Sequence, residues 1–156
     1  MSLSHQHLPD DAAPRPSELV SAEDLVALEA DLGRPARGVV GIAARCVCGR
    51  PIAVRTAPRL ADGQPFPTAF YLVSPLAVKA ISSLEANGVM SQMSLRLAED
   101  QALAAAYSAA HDDYLARRAE LGDVPEIAGV SAGGMPNRVK CLHALAAHSL
   151  AAGAGV

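Results

Sequence analysis

The residues best suited to chemistry lie in one stretch near the carboxyl end of the chain, where two glycines and a proline precede basic and thiol side chains. The stretch runs from Ser131 to His143 and reads SAGGMPNRVKCLH. Proline after small residues is typical of the first turn of a helix, so we expect a helix from Pro136 to about Ala152. Free backbone N–H groups at such a helix start favour an anion, and Gly134 would let that anion approach closely. The pattern therefore predicts a phosphate or carboxylate site.

Basic and polar side chains would complete this predicted anion site. Arg138 and Lys140 lie within a turn and a half of the expected helix start, and strand arginines would add positive charge. The predicted ligand-binding set is Gly133, Gly134, Asn137, Arg138, Lys140, Arg45 and Arg55. The spacing matches neither a P-loop nor a dinucleotide-binding fingerprint. The alternative interpretation is a flexible loop followed by a helix with solvated basic residues.

Cysteines and histidines form a second candidate site, for a zinc or iron ion. Cys46 and Cys48 would project from the same side of a strand. The predicted ligands are Cys46, Cys48 and Cys141 with His143 or His148. Within one helix, Cys141 and His148 would be about 10 Å apart, and Cys141 and His143 would point in different directions. A metal site therefore needs the strands as well, and the alternative is that the cysteines are small buried hydrophobes.

Nucleophilic catalysis by Cys141 is a third hypothesis. It would need activation by Arg138 or a histidine, because Cys141 is expected beyond the first helical turn, where the helix dipole acts weakly. His111 lies beside a stripe that contains Tyr107 and Tyr114, so we expect it to be half-buried. No paired carboxylates stand out, and the residues specify no catalytic group and no reaction.

Length and composition exclude several classes of protein. The chain has 156 residues and a net charge of −3, which suits one domain with a real core. Aromatic residues make up 3% of the chain, so the core must rely on aliphatic and small side chains. The acidic balance argues against a nucleic-acid partner, and no apolar run is long enough to span a membrane. The absence of an export signal and the odd number of cysteines, three, favour the cytoplasm.

The predicted helices and strands that position these residues form one α+β domain at 20–156, which follows a flexible leader at 1–19. The leader is rich in proline. A capping-box pattern at Ser21–Asp24 begins the first helix, and Gly33 ends it. A small three-stranded sheet follows, with strands at 39–47, 52–56 and 68–73.

About four helices complete the predicted domain. Ser74 and Pro75 are a favoured N-cap and first residue for the second helix. Its buried stripe is expected to consist of Leu76, Ala80, Ile81 and Leu84. A short helix and then a long helix that opens at Asp100 follow. In the last helix, the predicted core face consists of Val139, Leu142, Ala146 and Leu150.

Five sequence blocks carry a resemblance to a known family. They are Arg45–Cys46, Gly63–Thr68, Leu84–Gly88, Gly133–His143 and Ala147–Ala151. On these blocks the chain resembles the actinobacterial family called domain of unknown function 501. The resemblance implies a small cytoplasmic protein encoded near a septum-formation-initiator-like protein and an exopolyphosphatase, and hence a phosphate-linked or division-linked role. It implies no activity. Relatives often carry a cysteine where this chain has Ser74; if that thiolate holds a metal in them, Ser74 weakens the metal hypothesis here unless Cys48 substitutes for it.

Three function classes remain, and each has its own experimental signature. The favoured class is a protein that binds a small anion, which salt-sensitive binding of phosphorylated ligands would support. The second is a metalloprotein, which stoichiometric zinc or iron would support. The third is an interaction or scaffold protein linked to cell division, for which a homo-oligomer with neither ligand would be the sign.

Overall fold

The computed structural model describes residues 17–153, which form five helices and one three-stranded sheet. The helices are α1 (Ala22–Leu32), α2 (Pro75–Ala86), α3 (Val89–Glu99), α4 (Gln101–Ala119) and α5 (Leu142–Ala152). The strands are β1 (Val39–Arg45), β2 (Pro51–Thr56) and β3 (Phe70–Leu72), and a short 3-10 helix spans Pro125–Ile127. One helix before the sheet and four after it confirm the predicted α+β class.

The predicted leader at 1–19 falls mostly outside the described residues, which begin at Ser17. Its last part belongs to the folded domain, because Glu18 and Ile42 exchange two backbone hydrogen bonds of 3.0 and 2.8 Å. These bonds extend the edge of the sheet at β1. Glu18 therefore pairs with the sheet two residues before the predicted start of the domain at residue 20.

Helix α1 begins and ends where its sequence predicts. The Ser21 hydroxyl accepts the Asp24 N–H at 3.1 Å, and the Asp24 carboxylate accepts the Ser21 N–H at 3.0 Å. Gly33 closes the helix with a positive φ of 68°. The Asp24 carboxylate also accepts two hydrogen bonds from Arg45, at 2.7 and 2.9 Å, and this guanidinium holds the pKa of Asp24 well below its usual range. The same residue thus caps α1 and fastens it to the end of β1.

The sheet is antiparallel with the order β1-β2-β3, so β2 is its central strand. Ala53 and Val54 of β2 have no exposed surface, which is what a strand covered on both faces shows. The β1–β2 turn contains Gly49 with a φ of 87°. β1 ends at Arg45 rather than Val47, and β3 begins at Phe70 rather than Thr68, so both predicted strands were too long.

Two apolar clusters cover the two faces of the sheet. The first lies between the sheet and helices α4 and α5, and includes Phe70, Tyr114 and Ala147. The second lies under α1 and consists of Leu28, Ile42, Val54 and Val73. No helix among residues 17–153 is long and apolar enough to cross a membrane.

The face of α2 that packs shares Ile81 with the predicted stripe but not Leu76, Ala80 or Leu84, which are exposed. Leu76 is 81% exposed and Leu84 is 44% exposed, although the periodicity placed both in the core. The face that packs against the first cluster carries Ala77, Val78 and Ile81. This face lies against α5, so the packing of α2 follows its helical neighbour rather than its most apolar stripe.

Helix α5 begins at Leu142, six residues later than the helix predicted from Pro136. Its N-cap is Cys141, which has extended backbone angles of −150° and 111°. The segment before it is a loop because Val139 is buried and donates its N–H to Ser94 Oγ at 3.2 Å, a contact that an uninterrupted helix would not make. The predicted core face is correct for Val139 and Leu142, which are buried, and wrong for Leu150, which is 46% exposed.

Candidate functional site

A concave surface lies along the loop before α5, and we call it the loop pocket. It is lined by residues 129–138 and Lys140, encloses about 720 Å³ and opens to solvent. Five of the seven predicted anion ligands line it, namely Gly133, Gly134, Asn137, Arg138 and Lys140. None of the lining residues is acidic, and the Arg138 and Lys140 side chains are exposed.

Contacts with α4 fix the shape of the loop pocket. The Tyr107 hydroxyl donates to the Arg138 carbonyl at 3.0 Å, and burial raises the pKa of Tyr107 to about 12, so the hydroxyl keeps its proton. Ser131 Oγ lies 2.7 Å from Nδ1 of His111, which is half-buried as predicted. The wall of the pocket is therefore held by side chains of other elements, which makes it a preformed surface.

The two consecutive glycines serve the loop itself. Gly134 has a φ of 92°, and a Cβ built on it would lie 2.5 Å from the Arg138 carbonyl oxygen. Gly133 has a φ of 67°, and its Cβ would lie 2.5 Å from a Leu145 methyl group. Glycine is required at both positions because a Cβ would clash with neighbouring residues of the same chain. The sequence had suggested a different reason, namely that Gly134 lets a ligand approach a helix start.

The structure does not bring Arg45 or Arg55 into the loop pocket. Arg45 pairs with Glu18 at 2.6 Å and with Asp24 at 2.7 Å. Arg55 pairs with Glu120 at 2.7 Å and donates to the Arg117 carbonyl at 2.5 Å. Both guanidinium groups already face carboxylates, so neither adds free positive charge to the predicted site.

The five predicted metal ligands separate into three places. Cys141 and His143 lie together at the start of α5, while Cys46 and Cys48 lie in the β1–β2 turn. His148 is buried in the core, with 1% of the residue exposed. Among the described residues, the group of metal-ligand side chains that converges is Glu85, Cys141 and His143, whose donor atoms all lie within 4.8 Å of one another. We call this group the Glu–Cys–His cluster.

Glu85 joins α2 to the start of α5. Its Oε1 accepts the Leu142 N–H at 2.7 Å and lies 3.2 Å from His143 Nδ1. Burial raises the pKa of Glu85, but the hydrogen bonds from Leu142 and His143 outweigh it and hold the pKa below its usual value. An ionised carboxylate therefore caps α5 from a neighbouring helix.

The sequence missed Glu85 and misjudged the geometry of its two partners. Cys141 and His143 were expected to diverge on one helix, but Cys141 is not helical, so both side chains reach the same carboxylate. Glu85 lies on the face of α2 that carries Val78 and Ile81, and it is partly buried. A charged residue on the packed face of a helix is the signal that could have identified it.

The comparisons with known proteins give a family and nothing finer. A family model described as "Protein of unknown function (DUF501)" matches residues 42–156. No curated protein matches the chain, and no solved structure does. The matched region contains both the loop pocket and the Glu–Cys–His cluster. On this match, the chain belongs to the DUF501 family of proteins of unknown function.

Proposed function

We propose that the protein binds a small anionic ligand of the phosphate or carboxylate type in the loop pocket. The observation that carries the proposal is the pairing of Arg138 and Lys140 on one concave surface without an acidic neighbour in its lining. A volume of about 720 Å³ suits a small metabolite.

Six of the twelve Lys and Arg side chains among residues 17–153 pair with a carboxylate, but Arg138 and Lys140 do not. Arg45, Arg50 and Arg59 each pair with a carboxylate at 2.8 Å or less. Arg138 and Lys140 have no carboxylate partner among residues 17–153. An incoming anion can therefore bind these two side chains without breaking an ion pair within the protein.

The two side chains suit a doubly charged anion. The planar guanidinium of Arg138 can bind two oxygens of a phosphate or carboxylate, and the Lys140 ammonium adds a second point charge. Because both groups are exposed, ligand binding is expected to weaken as salt concentration rises. The proposal also places the protein in the cytoplasm, where its three free cysteines would stay reduced.

Replacement of Arg138 tests the proposal. We expect inorganic phosphate and pyrophosphate, but not chloride at the same ionic strength, to raise the thermal unfolding temperature of the wild-type protein. The Arg138→Ala variant should fold and lose most of this stabilisation, with an affinity lower by about tenfold or more, because a charge-assisted hydrogen bond is worth roughly 1.5–3 kcal/mol. Isothermal titration calorimetry gives the affinity directly.

Arg96→Ala is the matched control, since it removes the same charge from an exposed position in the last turn of α3. It should keep the full stabilisation by phosphate. Equal stabilisation of the Arg138→Ala and wild-type proteins, or none in the wild type, would show that the loop pocket is not an anion site.

A further inference from the structure

The Glu–Cys–His cluster offers one oxygen donor from α2, one sulfur donor from the N-cap of α5 and one nitrogen donor from the first turn of α5. We propose that Glu85, Cys141 and His143 hold a zinc ion and leave one coordination position open. The three donor atoms lie within 4.8 Å of one another, and all three residues are partly buried. This inference does not depend on the loop pocket, because neither Arg138 nor Lys140 is a ligand in it.

The imidazole of His143 is oriented by α2. Its Nε2 lies 3.1 Å from Ser82 Oγ and 3.3 Å from the Val78 carbonyl oxygen. A carbonyl oxygen only accepts, so the tautomer with its proton on Nε2, which leaves Nδ1 free to bind a metal, can donate to Val78. Metal-binding histidines commonly donate their second ring N–H to a backbone carbonyl in this way.

Without a metal, the Nδ1–H of His143 donates to Glu85 Oε1, which lies 3.2 Å away. A zinc ion would take the place of this proton between the nitrogen and the oxygen, and the imidazole proton would then lie on Nε2. Two ligands of a tetrahedral zinc ion with bonds of about 2.0–2.1 Å lie about 3.4 Å apart. The observed separation therefore needs almost no change for these two atoms to share an ion.

Cys141 can supply the third ligand because its sulfur has no capping role. It is the N-cap residue of α5, and its side chain makes no capping hydrogen bond. Glu85 accepts the N–H of Leu142, the first residue of the helix, and the Cys141 sulfur lies in the cluster beside this carboxylate. The sulfur and nitrogen ligands of a tetrahedral zinc ion lie about 3.6 Å apart, so donor atoms within 4.8 Å of one another have to approach by about 1 Å at most.

The donor set selects the class of ion. Mg²⁺ and Ca²⁺ prefer oxygen ligands alone, whereas zinc accepts thiolate, imidazole and carboxylate together. Three protein ligands with a fourth position open is the pattern of zinc sites that bind an exchangeable water molecule rather than of closed structural sites. The predicted contribution of Cys46, Cys48 and His148 is not needed for this set.

Titration of the metal-free, untagged protein with Zn²⁺ and Co²⁺ tests the proposal. We expect one equivalent of Zn²⁺ to bind, to protect one cysteine from alkylation and to displace bound Co²⁺. Cobalt should give a thiolate-to-metal charge-transfer absorption that disappears in Cys141→Ser. Glu85→Gln keeps an acceptor for the Leu142 N–H, so it should fold normally and bind zinc at least tenfold more weakly.

Two matched variants serve as controls. Cys48→Ser replaces an exposed cysteine of the β1–β2 turn, and Glu99→Gln replaces an exposed carboxylate at the end of α3. Both should bind zinc as the wild type does. The proposal is overturned if the wild type binds no zinc, if the cobalt absorption persists in Cys141→Ser, or if Glu85→Gln and Glu99→Gln bind zinc equally well.

Discussion

The imidazole of His148 is enclosed by the core, although its residue type had suggested a metal ligand. Its ring stacks on Phe70 at a centroid distance of 5.9 Å and meets the edge of Tyr114 at 5.1 Å. Nε2 lies 2.8 Å from Asp113 Oδ2, an oxygen that also accepts the Arg117 Nε–H at 2.7 Å. Burial lowers the pKa of His148, although Asp113 acts in the opposite direction. The folded protein therefore favours the neutral imidazole.

This lowered pKa makes stability depend on pH in the range where unfolded histidine titrates. Above the unfolded pKa of about 6.5, His148 is neutral in both states and has no effect. As the pH falls below that value, the unfolded chain binds the proton first, so the free energy of unfolding decreases by at most about 1.4 kcal/mol per pH unit. Urea denaturation at pH 7 and 5.5 should show this loss for the wild type and a smaller one for His148→Gln.

His111→Gln is the control for this pH effect. His111 is half-buried and contacts Ser131 rather than the core aromatic rings. This variant should keep the pH dependence of the wild type. If His148→Gln shows the same dependence as the wild type, His148 is not the group responsible.

At the scale of single elements, the sequence correctly predicts the helix ends that are set by residues next to them in the chain. The ends of α1 are set by Ser21, Asp24 and Gly33, all within or next to the helix. The start of α5 is set instead by distant residues, since Leu142 is capped by a carboxylate 57 positions away. The Val139 N–H likewise bonds to Ser94, which is 45 positions away. A pattern read along the chain contains no information about such partners, so the predicted helix began too early.

The glycine pair before α5 gives a prediction for this element. Alanine at Gly134 must adopt a φ of 92° and place a Cβ 2.5 Å from the Arg138 carbonyl oxygen. The backbone strain costs about 1–2 kcal/mol and the overpacking about 1–3 kcal/mol more. Gly134→Ala should therefore lower the free energy of unfolding by roughly 2–5 kcal/mol, measured by urea denaturation.

Gly63→Ala separates the two causes. Gly63 has a similar φ of 85°, but a Cβ there would meet nothing within 4 Å. Only the backbone strain remains in Gly63→Ala, so its free energy of unfolding should fall by less than that of Gly134→Ala. Equal losses in Gly63→Ala and Gly134→Ala would mean that the close approach within the loop does not contribute.

At the scale of the whole molecule, the candidate site depends on segments that are far apart in sequence. The α+β class follows from the order of the elements, which the sequence predicts. The Glu–Cys–His cluster, however, joins α2 to α5, and the loop pocket is held by α4. The sequence identified Cys141, His143, Arg138 and Lys140 as suitable types, but only the packed helices show which of them meet.

Arg118 is the clearest case of a residue whose role only the complete fold shows. It is 6% exposed, and no carboxylate among the described residues pairs with it. Its guanidinium donates to the carbonyl oxygens of Pro67 at 2.9 Å, Ile127 at 2.8 Å and Val130 at 2.5 Å. One side chain of α4 therefore fastens the segment before β3 to the loop that leads into the loop pocket.

Replacement of this side chain by lysine should uncouple those segments. A lysine ammonium is one point of donation, whereas the three carbonyl groups are reached by two nitrogens of a planar fork. We expect Arg118→Lys to lower the free energy of unfolding by about 2–4 kcal/mol, because buried carbonyl groups lose their donors. Arg96→Lys, on an exposed face of α3, should change stability by less than about 0.5 kcal/mol.

Because Val130 lines the loop pocket, Arg118→Lys should also weaken phosphate binding. Urea denaturation and calorimetry measure both effects, and unchanged stability in Arg118→Lys would show that the guanidinium does not hold these loops together.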